Sequence, residues 1–394
     1  MSKKSPIRKF QTSKVVSISF AHLIHDIYSS FLAPILPLLI EKLSLSYSLA
    51  GLLTIIQRIP SLLNPIIGLI ADRAPIRYFI ILTPAITAIS MSLLGLAPNF
   101  IILGLLLFVM GLSAAFFHVP APVLIKELSG SRIGKGMSYY MIGGEIARTT
   151  GPLIILGAIS IWGLQGTYKL IPFALLATII LFYKLKNIDI QRPKKEEKKA
   201  FNVKTTLIKV MPIFSLLAGI TFFRSAMKAA LTTFLPTYLT LGQNESLWIG
   251  GISLAILELA GAVGTLVGGS ISDKIGRKTT LIISAIVTPV LMFIFVYLNG
   301  FAMIALLILI GFFMFATSPV LLALVQEIST ERPAFINSIY MTINFVIGAI
   351  TVYFVGFLSD IYGLSLTYKI SAIIALGSIP FVFMLPLKKQ KIED

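Results

Sequence analysis

Cysteine is absent from this sequence, and charge is scarce. None of the 394 residues is Cys, three are His and 12% are charged, whereas 56% are hydrophobic. Without Cys the chain forms no disulfide, thiolate metal site or cysteine nucleophile, and its histidines lack the spacing of an HExxH motif. The mean hydropathy of +0.92 is too high for a water-soluble domain of this length. We therefore predict a membrane protein with no cofactor and no metal site.

The apolar runs are continuous and about twenty residues or longer, which is typical of transmembrane helices. Strands of a membrane barrel are shorter and alternate apolar with polar residues. We predict an all-α membrane protein with twelve transmembrane helices, at residues 14–40, 46–71, 77–96, 100–127, 133–162, 166–184, 206–241, 246–271, 277–297, 300–328, 332–359 and 364–386.

One long polar segment, NIDIQRPKKEEKKAFNVK, separates six predicted spans from the other six. It is typical of a charged, solvated linker. The predicted order is an N-terminal tail at 1–13, a six-helix bundle at 14–186, the linker at 187–205, a second six-helix bundle at 206–386 and a C-terminal tail at 387–394.

Basic residues predict the orientation of the chain in the membrane. If both termini are cytoplasmic, 26 of the 33 Lys and Arg residues lie on the cytoplasmic side, three lie outside and four lie within spans. Cytoplasmic loops carry the excess of basic residues in membrane proteins. We therefore predict a multi-pass protein of the inner cell membrane with both termini in the cytoplasm, and we read the basic N-terminus as a retained tail, not as a signal peptide.

The second half of the chain repeats the first at an offset of about two hundred residues. Such a repeat predicts two bundles related by an axis along the membrane normal, with a substrate site near the middle of the membrane. The matching segments are Leu36-Pro37 and Leu235-Pro236, Gly111 and Gly311, Pro122 and Pro319, and Ser138–Met141 and Ser338–Met341.

The most specific repeated feature is the turn after spans 2 and 8. Its second copy, at 268–278, reads GGSISDKIGRK and resembles the loop signature of the major facilitator superfamily. The first copy has Pro75-Ile76 where that pattern has Gly-Arg. The resemblance implies the superfamily fold and a cytoplasmic gate that latches the two bundles. By this resemblance the gate consists of Gly68, Asp72, Arg73, Arg77, Gly269, Asp273, Gly276, Arg277 and Lys278.

Three further stretches resemble the branch of the superfamily that contains the fosmidomycin-resistance proteins. They are AHLIHDIYSSF in span 1, residues 114–152 across spans 4 and 5, and VQEI after span 10. The sequence departs from that branch after His118, where Val-Pro replaces Pro-Glu, and at Glu145, which replaces Asn. The resemblance implies export of a drug, and fosmidomycin itself is a phosphonate anion.

Three acidic residues lie within predicted spans, where an unpaired charge costs about 2.5 to 3.5 kcal/mol. Asp26 shares a helix face with His22, and an Asp beside a His can exchange a proton near neutral pH. The alternative for Asp26 is a static carboxylate held by nearby hydroxyl groups. We predict that proton coupling uses Asp26, His22, Glu145 and Glu258.

Four basic residues within the spans exceed the three acids and favour an anionic substrate. A static ion pair is the alternative for Glu145 and Arg148, which are three residues apart on one helix face. Arg58 and Glu258 approach the same level from the two halves and could form a gating pair. Lys228 could instead extend toward the membrane surface. The predicted substrate-binding residues are Arg58, Arg148, Arg224, Lys228, His118, Gln57 and Asn344.

These features predict a secondary transporter and not an enzyme. The sequence has no GxxxxGK[ST] phosphate-binding motif, so protons and not ATP are the expected energy source. We expect a proton-coupled antiporter that exports a drug or small organic anion by alternating access, acting as a monomer in the lipid bilayer without nucleic acid. A proton-linked importer of a metabolite is the first alternative. An intramembrane enzyme or lipid scramblase is the second.

Overall fold

The structure is a computed structural model that describes residues 10–64, 66–67, 76–130, 133–187, 203–326 and 333–386. The described residues form helices joined by short turns and contain no β-strand. Nine of the helical segments in these ranges are long and apolar enough to cross a membrane. The prediction of an all-α membrane protein is therefore confirmed.

The chain divides into two compact units. The first comprises Met1–Leu43 and Ile56–Lys194, and the second comprises Ser44–Ile55 and Lys195–Asp394. Most of the predicted linker lies outside the described residues, as do most of the two predicted tails.

In the first unit, helix α1 (Thr12–Ser29) packs against α4 (Ile76–Ser92) and α7 (Ile133–Trp162). Glycines of α7 allow this close approach: a Cβ at Gly143 would lie 2.5 Å from the backbone oxygen of Ser19. The helices of this unit are α1 (Thr12–Ser29), α2 (Leu32–Leu43), the end of α3 (Tyr47–Arg58), α4 (Ile76–Ser92), α5 (Phe100–His118), α6 (Ala121–Ser129), α7 (Ile133–Trp162) and α8 (Ile171–Leu185).

In the second unit, α9 (Val203–Thr233) packs against α13 (Pro333–Leu376). Helix α10 (Leu247–Ile275) packs against α12 (Gly300–Gln326). Close contacts of glycines again join the second of these pairs, because a Cβ at Gly264 would lie 2.2 Å from the backbone oxygen of Phe312. The helices are the start of α3, then α9 (Val203–Thr233), α10 (Leu247–Ile275), α11 (Arg277–Phe295), α12 (Gly300–Gln326), α13 (Pro333–Leu376) and α14 (Ser378–Phe383).

The two units show the predicted repeat in their packing. Helices α1 and α9 contain the first predicted span of each half. Each packs against the helix that carries the repeated Ser-x-Tyr-Met segment, which is α7 for α1 and α13 for α9. Each unit also has a hydrogen bond from a tyrosine hydroxyl to a backbone carbonyl. Tyr28 donates to Leu170 at 2.6 Å in the first unit, and Tyr368 donates to Ala230 at 2.6 Å in the second. Both bonds join the first predicted span of a half to its sixth.

The number of twelve spans stays a prediction. The 30-residue helix Ile133–Trp162 carries Glu145 and Arg148 and is not one of the nine apolar candidates. The candidate Ile339–Phe383 covers two predicted spans, and Gly363, with φ 76° and ψ 161°, interrupts the helix within it. This interruption falls at the predicted boundary between spans 11 and 12.

Candidate functional site

All three histidines of the chain contact one carboxylate, Asp26. The Nε2 atom of His22 lies 3.1 Å from Oδ2 of Asp26. The Nδ1 atom of His25 lies 2.9 Å from Oδ1, and Nε2 of His118 lies 3.3 Å from the same oxygen. We call these four residues, together with Tyr140, the histidine cluster.

Three helices bring the histidine cluster together. His22 and Asp26 are four residues apart on α1 and therefore share a face. His118 is the last residue of α5, where the helix stops before Pro120 and restarts at Ala121, because proline cannot supply the next backbone N–H. Tyr140 comes from α7, and its ring stacks on that of His22 with 4.0 Å between the centroids.

The ring of His22 connects α7 with Asp26. The Nδ1 atom of His22 lies 2.8 Å from the backbone oxygen of Tyr140. Because a carbonyl oxygen can only accept, this contact favours the tautomer with its proton on Nδ1. The Nε2 atom then faces Oδ2 of Asp26 at 3.1 Å, where a proton or another cation between the two atoms would stabilise the contact.

The other two histidines also contact the carboxylate of Asp26. His25 is fully buried, donates from Nδ1 to Asp26 and has no partner for Nε2 among the described residues, which fits a neutral ring with its proton on Nδ1. The Nδ1 atom of His118 lies 3.2 Å from the hydroxyl of Tyr140, which can donate to it. Nε2 of His118 is then free to donate to Asp26.

The histidine cluster is buried on one side and open on the other. His22 and Asp26 have 6% and 8% of their surface exposed, and the ring of His25 stacks on Phe117 at 4.7 Å. In contrast, 41% of the His118 side chain is exposed. His118 is therefore the exposed member of the cluster and lies directly beside the buried carboxylate of Asp26.

In the second unit the comparable position holds a permanent cation. The guanidinium of Arg224 donates to the backbone oxygen of Met314 at 2.9 Å and to the hydroxyl of Thr317. Both partners are neutral, and within the described part of this unit no carboxylate pairs with Arg224. Asn344 lies on the neighbouring α13, where its amide donates to the backbone oxygen of Tyr340 at 3.0 Å.

The remaining predicted substrate residues lie in both units. Lys228, one turn after Arg224, places its ammonium 5.6 Å from the ring centre of Phe315. Gln57 donates to the sulfur of Met110 at 3.4 Å, and Arg58 is an exposed residue at the end of α3. The predicted coupling residue Glu258 lies half-buried in α10.

Glu145 and Arg148 form an ion pair on α7. The Arg148 side chain is 45% exposed, whereas that of Glu145 is 18% exposed. The geometry of the pair agrees with the static alternative as well as with a role in coupling.

The described gate residues of the second unit bind to one another or to neighbouring backbone. Arg277 pairs with Asp273 at 2.6 Å across the turn at Gly276, whose φ of 95° favours glycine. Lys278 donates to the backbone oxygens of Phe383 and Leu385 near the chain end. Gly269 lies in α10, next to Pro319.

Among the gate residues of the first unit, Arg77 lies in the first turn of α4, with its guanidinium 5.1 Å from the ring centre of Tyr78. Gly68, Asp72 and Arg73 lie outside the described residues.

The sequence predicts the pairing of His22 with Asp26 but not the convergence of the whole cluster. His118 is a predicted substrate residue, and His25 and Tyr140 are not among the predicted site residues. The contacts of His118 with Asp26 and of Tyr140 with His22 join different helices, and helical periodicity carries no information about them. One available signal was that the chain has only three histidines and all of them fall in spans 1 and 4.

Comparisons with known proteins agree with this architecture. A sequence model of the Major Facilitator Superfamily matches residues 18–352 and 259–393. The fosmidomycin resistance protein of Escherichia coli K12 is 26% identical over 375 residues, covering 93% of this chain and 91% of its own length. The multi-drug resistance efflux pump PmrA of Streptococcus pneumoniae is 25% identical over 265 residues, which are 65% of this chain and 66% of the relative.

A solved structure shows the same fold. The bacterial homologue of the human lysosomal transporter Spinster, in an inward-facing and occupied conformation, superposes with a TM-score of 0.78 at 15% identity. The superposition covers 95% of this chain and 96% of the other. The resemblance noted in the turn sequence is confirmed: this chain belongs to the Major Facilitator Superfamily and is a membrane transporter, not an enzyme.

Proposed function

We propose that this transporter is a proton-coupled antiporter of the inner cell membrane that exports a small organic anion or an anionic drug. The observation that supports the proposal is the contact between Nε2 of His22 and Oδ2 of Asp26 at 3.1 Å, which we propose holds the transported proton. A protein that gains and loses this proton on opposite sides of the membrane can use the proton gradient for transport. The name of the E. coli relative supports a drug as cargo.

The proposed proton route enters past the exposed His118 and ends between His22 and Asp26. When the proton leaves, the two acceptors on α1 repel each other, and this repulsion displaces the His22 ring, which joins α1 to α7 through Tyr140. A local rearrangement of these helices is the proposed link between proton release and the change of access. We propose Glu145 and Glu258 as further coupling residues at mid-depth.

The proposed anion site is centred on Arg224. A guanidinium held by a carbonyl and a hydroxyl keeps its full charge available to an anionic substrate, and its planar set of donors suits a carboxylate or phosphonate. We propose that Arg58, Arg148, Lys228, His118, Gln57 and Asn344 also contact the substrate. The gate residues would close the cytoplasmic side, with Asp273 and Arg277 as its second half.

The first test measures coupling in proteoliposomes that contain the purified transporter and fosmidomycin as the probe anion. We expect an imposed pH gradient to accelerate substrate flux and Asp26→Asn to abolish that acceleration, because the amide cannot exchange a proton. Glu41→Gln, which neutralises an exposed carboxylate at the end of α2, is the control and should keep the wild-type response. Wild-type flux that is indifferent to the gradient would disprove proton coupling.

The second test concerns the anion site. We expect Arg224→Ala to lower fosmidomycin flux at least about tenfold, because hydrogen bonds to charged groups contribute about 1.5 to 3 kcal/mol. Arg224→Lys should recover part of the flux, because it keeps the charge and loses the planar donor set. Phe222→Ala, on the exposed side of the same helix, is the control. Unchanged anion flux in Arg224→Ala would remove the proposed site.

A further inference from the structure

We propose that His22, Asp26 and His118 form a binding site for a divalent transition-metal ion such as Zn²⁺. Each residue offers one ligand atom, and these atoms lie within 4.8 Å of one another. Sequence analysis predicted no metal site, since the three residues match no known spacing. The inference rests on the geometry of the histidine cluster and does not require the transport cycle proposed above.

The ligand atoms lie close to the spacing of a small metal site. In a tetrahedral zinc site, metal–ligand bonds of about 2.0 to 2.2 Å place neighbouring ligand atoms roughly 3.3 Å apart. Nε2 of His22 lies 3.1 Å from Oδ2 of Asp26, and Nε2 of His118 lies 3.3 Å from Oδ1, so the carboxylate presents one oxygen to each histidine. A bound ion would draw the set, which spans up to 4.8 Å, closer together. A site with two imidazoles, one carboxylate and no thiolate suits Zn²⁺ and its first-row neighbours, not Ca²⁺ or Mg²⁺, which prefer oxygen ligands.

Outer contacts orient the ligands as they do in known metal sites. A histidine that binds metal through one nitrogen usually donates its other N–H to a carbonyl or carboxylate. His22 donates from Nδ1 to the backbone oxygen of Tyr140 and aims Nε2 at the centre of the cluster. To bind a metal through Nε2, His118 would carry its proton on Nδ1 and donate it to the hydroxyl of Tyr140, the reverse of the direction in the metal-free cluster. His25 donates to the carboxylate of Asp26. All three ligands therefore have an outer partner.

The site combines buried ligands with an entrance. Nε2 of His22 and Oδ2 of Asp26 face each other at 3.1 Å, so an ion beside them could accept a lone pair from each. His22 and Asp26 are buried, so a bound ion would be shielded from water on that side. The exposed side of His118 provides the path of entry and leaves a fourth coordination position open.

The test measures metal binding directly. The full-length chain is purified with an affinity tag that contains no histidine, stripped with chelator and equilibrated with buffered Zn²⁺ at fixed pH. Bound metal is then measured by mass spectrometry of the dialysed protein. We expect about one Zn²⁺ per wild-type chain, and a loss of affinity of at least about tenfold in Asp26→Asn and His118→Ala, because even outer-shell changes cost about 10- to 100-fold.

Two tyrosine variants form a matched pair. Tyr140→Phe removes the hydroxyl beside His118 but keeps the backbone oxygen that orients His22, so affinity should fall by about tenfold. Tyr139→Phe makes the same change at the neighbouring residue, which is partly exposed and is not among the metal ligands or their outer partners, and should bind Zn²⁺ like the wild type. The melting temperature of each metal-free variant checks that it is folded.

The inference is overturned if the wild type binds no stoichiometric Zn²⁺, or if folded Asp26→Asn and His118→Ala bind it as the wild type does. If Asp26→Asn fails to fold, His118→Ala decides, because its exposed side chain contributes little to the core. Flux measured in chelator keeps this result separate from the proposed function. Flux that follows the pH gradient without any Zn²⁺ binding would refute the metal site alone.

Discussion

At the scale of single residues, the histidine cluster has room for its His22 ring only because residue 144 is a glycine. A Cβ at this position of α7 would lie 2.7 Å from Cε1 and 3.0 Å from Nε2 of His22. Real side chains do not approach so closely, so any larger residue would push the ring of His22 away from Asp26. The absence of a side chain at Gly144 is therefore a structural requirement of the site.

We expect Gly144→Ala to destabilise the protein by about 1 to 3 kcal/mol through overpacking, which exceeds the gain of about 1 kcal/mol that alanine brings to a helix. The melting temperature and the pH-driven flux should both fall. Gly157→Ala on the same helix is the control, because its Cβ would meet nothing within 4 Å. That variant should be as stable as the wild type or slightly more stable. Equal behaviour of the two variants would contradict the close contact with His22.

At the scale of helices, one glycine separates two consecutive spans. Residues 333–376 form an almost continuous helical run, and Gly363 interrupts it with φ 76° and ψ 161°. This backbone region is essentially restricted to glycine. The conformation lets the chain turn back between spans 11 and 12 without a long loop.

We expect Gly363→Ala to lower stability by about 1 to 3 kcal/mol. No atom lies within 4 Å of the position of a Cβ at Gly363, so the cost comes from backbone strain and not from a clash. Gly363→Asn should be destabilised as well, since asparagine tolerates positive φ only near the left-handed helical region. A thermal melt of the purified protein measures both variants. Wild-type stability of Gly363→Ala would show that this turn can adopt another conformation.

Helical periodicity predicted contacts within a helix and failed for contacts between helices. The pairing of His22 with Asp26 follows from their spacing of four residues, and the helix break beside His118 follows from Pro120. The approach of His118 and Tyr140 to Asp26 depends on how α1, α5 and α7 pack, and no spacing rule contains that information. The pairing of Glu145 with Arg148, which are three residues apart on one helix, also follows from periodicity.

At the scale of the whole molecule, the two units repeat the same helix pairs but carry different polar side chains at equivalent places. Tyr140 and Tyr340 are equivalent in the repeat, and each lies on the helix that packs against the first helix of its unit. Beside Tyr140 the first unit has a carboxylate in contact with three histidines. In the second unit Arg224 cannot lose its charge. We infer that the two halves divide coupling and anion binding between them.

The orientation of the whole chain in the membrane rests on its basic residues and can be tested without removing any native thiol. The wild type has no Cys, so a single introduced Cys is the only site for a maleimide. Gln165→Cys lies between spans 5 and 6 and is predicted to face outward, whereas Lys194→Cys lies in the predicted cytoplasmic linker. The positive-inside rule places the linker inside, because nine Lys and Arg residues fall in and beside it.

We expect a membrane-impermeant maleimide to label Gln165→Cys in intact cells and to label Lys194→Cys only after the membrane is opened. The wild type should remain unlabelled in both conditions. Labelling of Lys194→Cys in intact cells would reverse the predicted orientation. It would also place the gate residues Asp273 and Arg277 on the outer side, because an even number of predicted spans separates them from the linker. The direction in which the proton gradient drives the proposed export would then be reversed as well.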